Sequence, residues 1–163
     1  MLAWPEGYVE AAGAWYDNIF ANKGKYRVGH SAIVLVEEKE NKAYYFDFGR
    51  YHTPVGFGRV RDEETDPDLK LPDIQINQNS VLNIRELLTF IYKLKSTHGK
   101  GRLYAAVISK VSFKKSYNYA KSIQNKGMLQ YGPFVRSGTN CSRFTSSVAI
   151  KSNPSLIKRV RFR

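Results

Sequence analysis

The feature that most constrains this chain is a pair of adjacent runs, "VGHSAIVLVEE" at 28–38 and "AYYFDFG" at 43–49, separated by the polar turn "KENK". β-Branched and aromatic residues dominate both, and so short a connection closes only an antiparallel hairpin. With an even-length turn, odd positions 45, 47 and 49 share a face with even positions 30, 32 and 34. Asp47 therefore falls on the face of His30, within one or two pairs along the ladder. A carboxylate on a mostly apolar face is costly without a partner. Orienting an imidazole would supply one, as the third member of a nucleophilic triad does. The competing readings are a structural His30 and an Asp47 at a frayed hairpin end in water.

Around the hairpin the pattern alternates between strand and helix. The first twenty residues read as a short helix and its approach, with Pro5 suited to a first turn. Residues 50–80 are rich in Pro and Gly and hold the acidic cluster Asp62, Glu63, Glu64, Asp66 and Asp68. That cluster lacks the spacing and central glycine of a calcium loop, so it reads as a solvated loop, and "GFG" at 56–58 is too short for a nucleotide fingerprint. Asn83 with Glu86 resembles a capping pair for a helix over about 83–96. "RLYAAVISKV" (102–111) reads as a strand. Ser112 caps a helix to about Gln124, with Phe113, Tyr117 and Ala120 on one face. "NCSRFTSSVAI" begins another helix, and the tail "LIKRVRFR" alternates like an edge strand. The sum is a single α+β domain over 1–163, with a loop-rich insertion at about 50–82.

No stretch approaches the roughly 18–20 apolar residues of a membrane span, and the N-terminus has no positive segment before an apolar run. A cytoplasmic location and secretion after loss of a signal both stay open. Charge is uneven: residues 1–80 carry 9 Lys+Arg and 13 Asp+Glu, whereas 81–163 carry 17 Lys+Arg and one acid, Glu86. That asymmetry points either to an anionic partner (nucleic acid, an acidic polymer, a membrane surface) or to a solvated basic face.

The one cysteine excludes an intramolecular disulfide and a cysteine-rich zinc site; no metal or cofactor is called for. Asn140 is a good N-cap, with Gly138 and Thr139 as a flexible approach, so Cys141 would occupy the first turn of its helix. There, unpaired N–H groups and the positive dipole end favour thiolate over thiol, and the Cys141 N–H would point at a developing oxyanion. A small buried Cys at a packed helix end would leave the same local sequence.

"GHSAIVL…YYFDFG" followed much later by "GTNCSRFTSSVA" resembles the circularly permuted papain-fold peptidases of the PPPDE group, which are isopeptidases. It is also similar to the lecithin–retinol acyltransferase-like proteins and their bacterial relatives. In those families a His opens the first core strand, an aromatic strand ending in Gly follows, and an Asn-Cys-x-x-Phe-type motif begins a late helix. The resemblance implies a permuted papain-like fold, an antiparallel sheet or half-barrel packed on helices. It implies Cys141 as nucleophile and His30 as base; Asp47 comes from the hairpin geometry, since several relatives use a dyad. "YGPF" at 131–134 resembles the aromatic segment ahead of the nucleophile in bacterial cell-wall cysteine endopeptidases. That makes Tyr131, with Asn140, a candidate for oxyanion or substrate binding, against a packed surface tyrosine.

The expected activity is thiolate attack on an amide, isopeptide, ester or thioester carbonyl through an acyl-enzyme. The expected substrate is a peptide, isopeptide or acyl compound, with an anionic cell-wall polymer or lipid in view. The alternatives are a basic nucleic-acid or polymer-binding module, carried by charge and interleaved aromatics without a recognised motif, and an inactive papain-like binding domain.

Overall fold

The computed structural model describes every residue except 12, 14, 16, 79 and 156–163. In chain order its strands are β1 (Leu2–Trp4), β2 (Tyr8–Glu10), β3 (Lys25–Arg27), β4 (His30–Glu37), β5 (Lys42–Gly49), β6 (Phe57–Arg61), β7 (Ile76–Asn77), β8 (Ser80–Val81), β9 (Tyr104–Ala105) and β10 (Leu129–Gln130). The helices are α1 (Asp17–Phe20), α2 (Ile84–Lys93), α3 (Phe113–Gln124) and α4 (Cys141–Lys151). Six strands form an open, fully antiparallel sheet in the order β10-β6-β5-β4-β1-β9. It does not close into a barrel.

The β4–β5 hairpin is the middle of that sheet, and its register pairs Ala32 with Asp47 and Glu37 with Lys42. Because side chains alternate, the hairpin feeds two cores. On one face Ala32, Ala43 and Tyr45 join Leu2 and Trp4 beneath Leu87 and Ile91 of α2 and Leu69, Leu71 and Ile74 of the 62–75 segment. On the other, Ile33, Leu35, Phe46, Phe48 and Val60 pack against Ala120 of α3 and Phe144, Val148 and Ala149 of α4. Each fully buried Phe or Leu there contributes on the order of 1.5–3 kcal/mol of transfer free energy.

Several segments depart from the sequence reading. Within the first twenty residues the helix is confined to Asp17–Phe20 and does not start at Pro5: Leu2, Ala3 and Trp4 pair with Ala32, Ser31 and His30, since the open edge of β4 outweighs a weak local preference. The strand expected over 102–111 shrinks to Tyr104–Ala105, because its partner β1 is only three residues long and offers no further ladder. Asn83 does not cap α2 with its side chain; its Oδ1 accepts from the Gln75 N–H at 2.8 Å and its Nδ2 donates to the Asp73 carbonyl. The expected tail strand, 156–163, lies outside the described residues.

The stretch 50–82 is more than a loop. β6 pairs with β5 through Asp47–Arg61, Phe48–Val60 and Gly49–Arg59. Nor is the acidic cluster simply solvated. Asp62 is buried and accepts from Lys121 Nζ at 2.6 Å and from the Glu64 and Thr65 N–H groups. Asp66 takes both ends of the Arg59 guanidinium at 2.7 and 2.8 Å. Lys121 is too distant in sequence to have been paired with Asp62 by inspection.

Gly29, at φ 60°, turns the chain from the β2–β3 excursion into β4. A Cβ there would stand 2.3 Å from the Trp4 carbonyl oxygen. Gly29→Ala therefore meets both a left-handed backbone and a backbone clash. We expect it to cost about 2–4 kcal/mol in denaturant unfolding, and to displace His30, the next residue.

Candidate active site

Cys141 is the first residue of α4, and Asn140 is its cap: the Asn140 Oδ1 accepts the Arg143 N–H at 2.9 Å. That carbonyl is therefore committed to the helix, although Asn140 also lines the cleft beside Cys141. α4 seats Phe144 and Val148 on one face of the sheet, whereas His30 belongs with the other. The two meet at the start of β4, where Ser31 turns towards α4 and its Oγ lies 3.4 Å from Thr145 Oγ1. His30 and Ser31 are the neighbours that favour the Cys141 thiolate.

Behind the imidazole stands Asp47, with no solvent exposure. Its Oδ2 lies 2.9 Å from His30 Nε2, which leaves Nδ1 as the ring nitrogen available to sulfur. Tyr45 Oη donates to the same oxygen at 3.1 Å. Arg61 donates to both, Nε to Oδ1 at 3.0 Å and Nη2 to Oδ2 at 2.7 Å. Trp4 stacks on the His30 ring at 5.7 Å between centroids, and Tyr51 meets it edge-on at 6.2 Å. His52, close in sequence to this site, is exposed.

These contacts set the protonation states. Burial opposes a charge on His30, but hydrogen bonds and Coulomb attraction from Asp47 and Cys141 override it and raise the imidazole to about 9. Burial likewise opposes the Cys141 thiolate, and the hydrogen bond and charge of His30, with Ser31 behind them, bring the thiol down to about 7. Burial would raise Asp47; His30 and Arg61 hold it below the ordinary carboxylate range instead. Between about pH 7 and about pH 9 the pair is thus thiolate and imidazolium.

Tyr131 stands beside this pair. Its ring stacks on Phe48 at 5.9 Å and it lines the same cleft as Cys141, while burial and the charge of the neighbouring Cys141 push its own ionisation far up. It remains a neutral donor. Arg143 holds the segment after it: Nη1 donates to the carbonyls of Gly132, Pro133 and Val135, at 2.9 Å for the last. Gly138 serves close packing, since a Cβ there would lie 2.0 Å from the Gln130 carbonyl oxygen. Two clefts flank the pair. One, of about 610 Å³, runs along Cys141 between Val9, Val28, Phe57 and Phe134. The other, of about 330 Å³, lies over His30 and exposes Glu6, Arg50, His98 and Lys100. Among the described residues no cluster of three or more His, Cys, Asp or Glu could hold a metal.

The structure thus brings Cys141, His30, Asp47, Tyr131 and Asn140 to one place. The sequence reading missed Ser31, Arg61, Trp4 and Arg143. Only Arg61 left a trace, as an arginine in a β-forming run, and its partner depends on a strand pairing that periodicity does not give. If the geometry sets the titration, the rate of Cys141 alkylation by iodoacetamide should rise with an inflection at about pH 7. His30→Ala should return the inflection to the free-thiol value of about 8.5 or above.

A family model described as type VI secretion system effector TseH-like matches residues 1–156. No curated protein and no solved structure matches the chain. The match is consistent with a papain-like class and compatible with a hydrolase-type effector. It spans all but the last seven of 163 residues, and so includes every residue of the Cys141 site. The chain belongs to the TseH-like family of type VI secretion system effectors.

Proposed function

We propose that the chain is a cysteine hydrolase of the permuted papain-like class that cleaves an amide bond in a peptide or isopeptide through an acyl-enzyme. The observation that carries this is the line Cys141–His30–Asp47: a helix-start thiol on an imidazole whose other nitrogen lies 2.9 Å from a fully buried carboxylate. The strand bearing His30 precedes the helix bearing Cys141, the reverse of ordinary papain-like order and the order of the permuted members.

In this reading Cys141 Sγ attacks the carbonyl carbon, and the oxyanion is received by the Cys141 N–H and the Tyr131 hydroxyl. His30 passes its proton to the leaving nitrogen and the C–N bond breaks, giving a thioester. Neutral His30 then takes a proton from water, and the resulting attack releases the acid and restores the thiol pair. Because His30 protonates the leaving group, the leaving amine lies in the charged cleft and the acyl portion in the apolar one. Glu6, Glu10 and Asp17 stand in the clefts with Arg50 and Lys100. Such mixed charge suits a peptide better than the one-signed channel that a nucleic-acid backbone requires.

The test is turnover of peptide amides, cell-wall peptides included, followed by mass spectrometry. Cys141→Ala should abolish it, and Asp47→Asn should lower kcat by about 10²–10⁴-fold in protein that is still folded, if less stable. Tyr131→Phe should cost about 10²-fold or somewhat more in kcat. The pH profile should be bell-shaped, rising through about 7 as the thiol ionises and falling through about 9 as His30 loses its proton. A folded protein whose Cys141 is inert to electrophilic probes across this range would leave a binding domain as the reading.

A further inference from the structure

We propose that Arg61 is a positioning residue of this site: it keeps the Asp47 carboxylate ionised and fixed in aim while His30 gains and loses its proton. The inference rests on the cysteine hydrolase reading and goes beyond it, because Arg61 touches neither Cys141 nor the clefts as described.

The guanidinium is held on every side. Arg61 pairs with Asp47 directly across the β5–β6 ladder, which fixes its approach. Nε and Nη2 take the two carboxylate oxygens, and Nη1 donates to the Ser96 carbonyl at 3.1 Å. The Tyr51 ring covers the guanidinium at 3.6 Å, and His98 stacks on Tyr51 at 4.5 Å. Only 2% of the residue is exposed.

The charge balance of the cycle gives it a task. When His30 has handed its proton to the leaving nitrogen, Asp47 is a buried anion whose imidazole neighbour is neutral. A carboxylate left alone there would bind a proton. It would then compete with His30 for the proton in the resting state as well, and a neutral imidazole holds a thiolate poorly. With Arg61 present the carboxylate is balanced in both halves of the cycle, and the proton stays on the imidazole.

The titratable and charged groups around Asp47 and Arg61 come from several elements. His30 faces them from β4, Tyr45 from β5, Tyr51 from the loop after β5, and His98 from beyond the turn at Lys95–Thr97. Cys141 approaches from α4 through His30, and Asp66 adds a negative charge near Arg61. Burial and the Arg61 charge keep His98 below its ordinary value.

The experiment is the pH profile of Cys141 alkylation, read beside thermal unfolding, in wild type, Arg61→Lys, Arg61→Met, Asp47→Asn and the Asp47→Asn/Arg61→Met double variant. Arg61→Lys keeps the charge and loses the fork, so its inflection should stay within about half a unit of wild type while kcat falls. Arg61→Met should move the inflection up by about one unit or more. If Arg61→Met does not fold, the double variant removes both buried charges, and its inflection should lie no higher than that of Asp47→Asn because Arg61 acts through Asp47. A folded Arg61→Met that titrates like wild type, an Arg61→Lys shifted as far as Arg61→Met, or a double variant shifted beyond Asp47→Asn would overturn the proposal. A wild-type inflection at the free-thiol value would instead sink the hydrolase reading itself.

Discussion

Asp47 sits in the middle of a six-stranded sheet with no access to water, and its negative charge organises what surrounds it. Removing an ion from water costs several kcal/mol even after relaxation, and Coulomb attraction offsets this only when the remaining lone pairs are satisfied. Here they are. Arg61 serves both oxygens, and His30 and Tyr45 share Oδ2 with it. Each of those partners arrives on a strand whose register depends on the others. β4, β5 and β6 are therefore locked together by a charge as well as by hydrogen bonds and burial. Removing one partner of such a set typically costs about 3–5 kcal/mol, because an uncompensated charge is left behind.

The chemistry follows from where this charge ends. The carboxylate is at the core, the imidazole at the strand end, and the sulfur at the helix start, so charge is carried outward from a dry interior to a cleft. Trp4 and Tyr51 wall the imidazole from the side and Tyr131 lines the cleft beside Cys141. Low exposure strengthens each interaction in the line and also opposes each charge. The outcome, a raised imidazole and a lowered thiol, shows that the partners outweigh burial at both groups. The chain's excess of basic residues has no part in this arithmetic; the one arginine that matters to it is buried.

Much of the fold was legible because both periodicities are strong. The alternation of Ala32–Val36 against Ala43–Phe48 fixes a hairpin and its parity, and Ser112 and Asn140 start their helices with side-chain caps. The elements that were misread are those whose stability is borrowed. β1 and β9 are short strands that exist because an edge was open, and β6 is arginine-rich because its charges answer carboxylates elsewhere. The acidic residues at 62–68 read as solvated only while Lys121 and Arg59 are out of view.

From sequence alone, then, come the hairpin, the shared face of His30 and Asp47, and the placement of Cys141 at a helix start. Those are local matters of period, turn length and capping, which act over a few residues. Tertiary structure decided that the helix carrying Cys141 packs on the face opposite to the one His30 shares with Asp47, yet brings its first turn to the end of β4. It also decided that Arg61 stands across from Asp47 and that Tyr131 shares a cleft with Cys141. No periodicity encodes those meetings, because they depend on which strands become neighbours and on how the two cores pack around them.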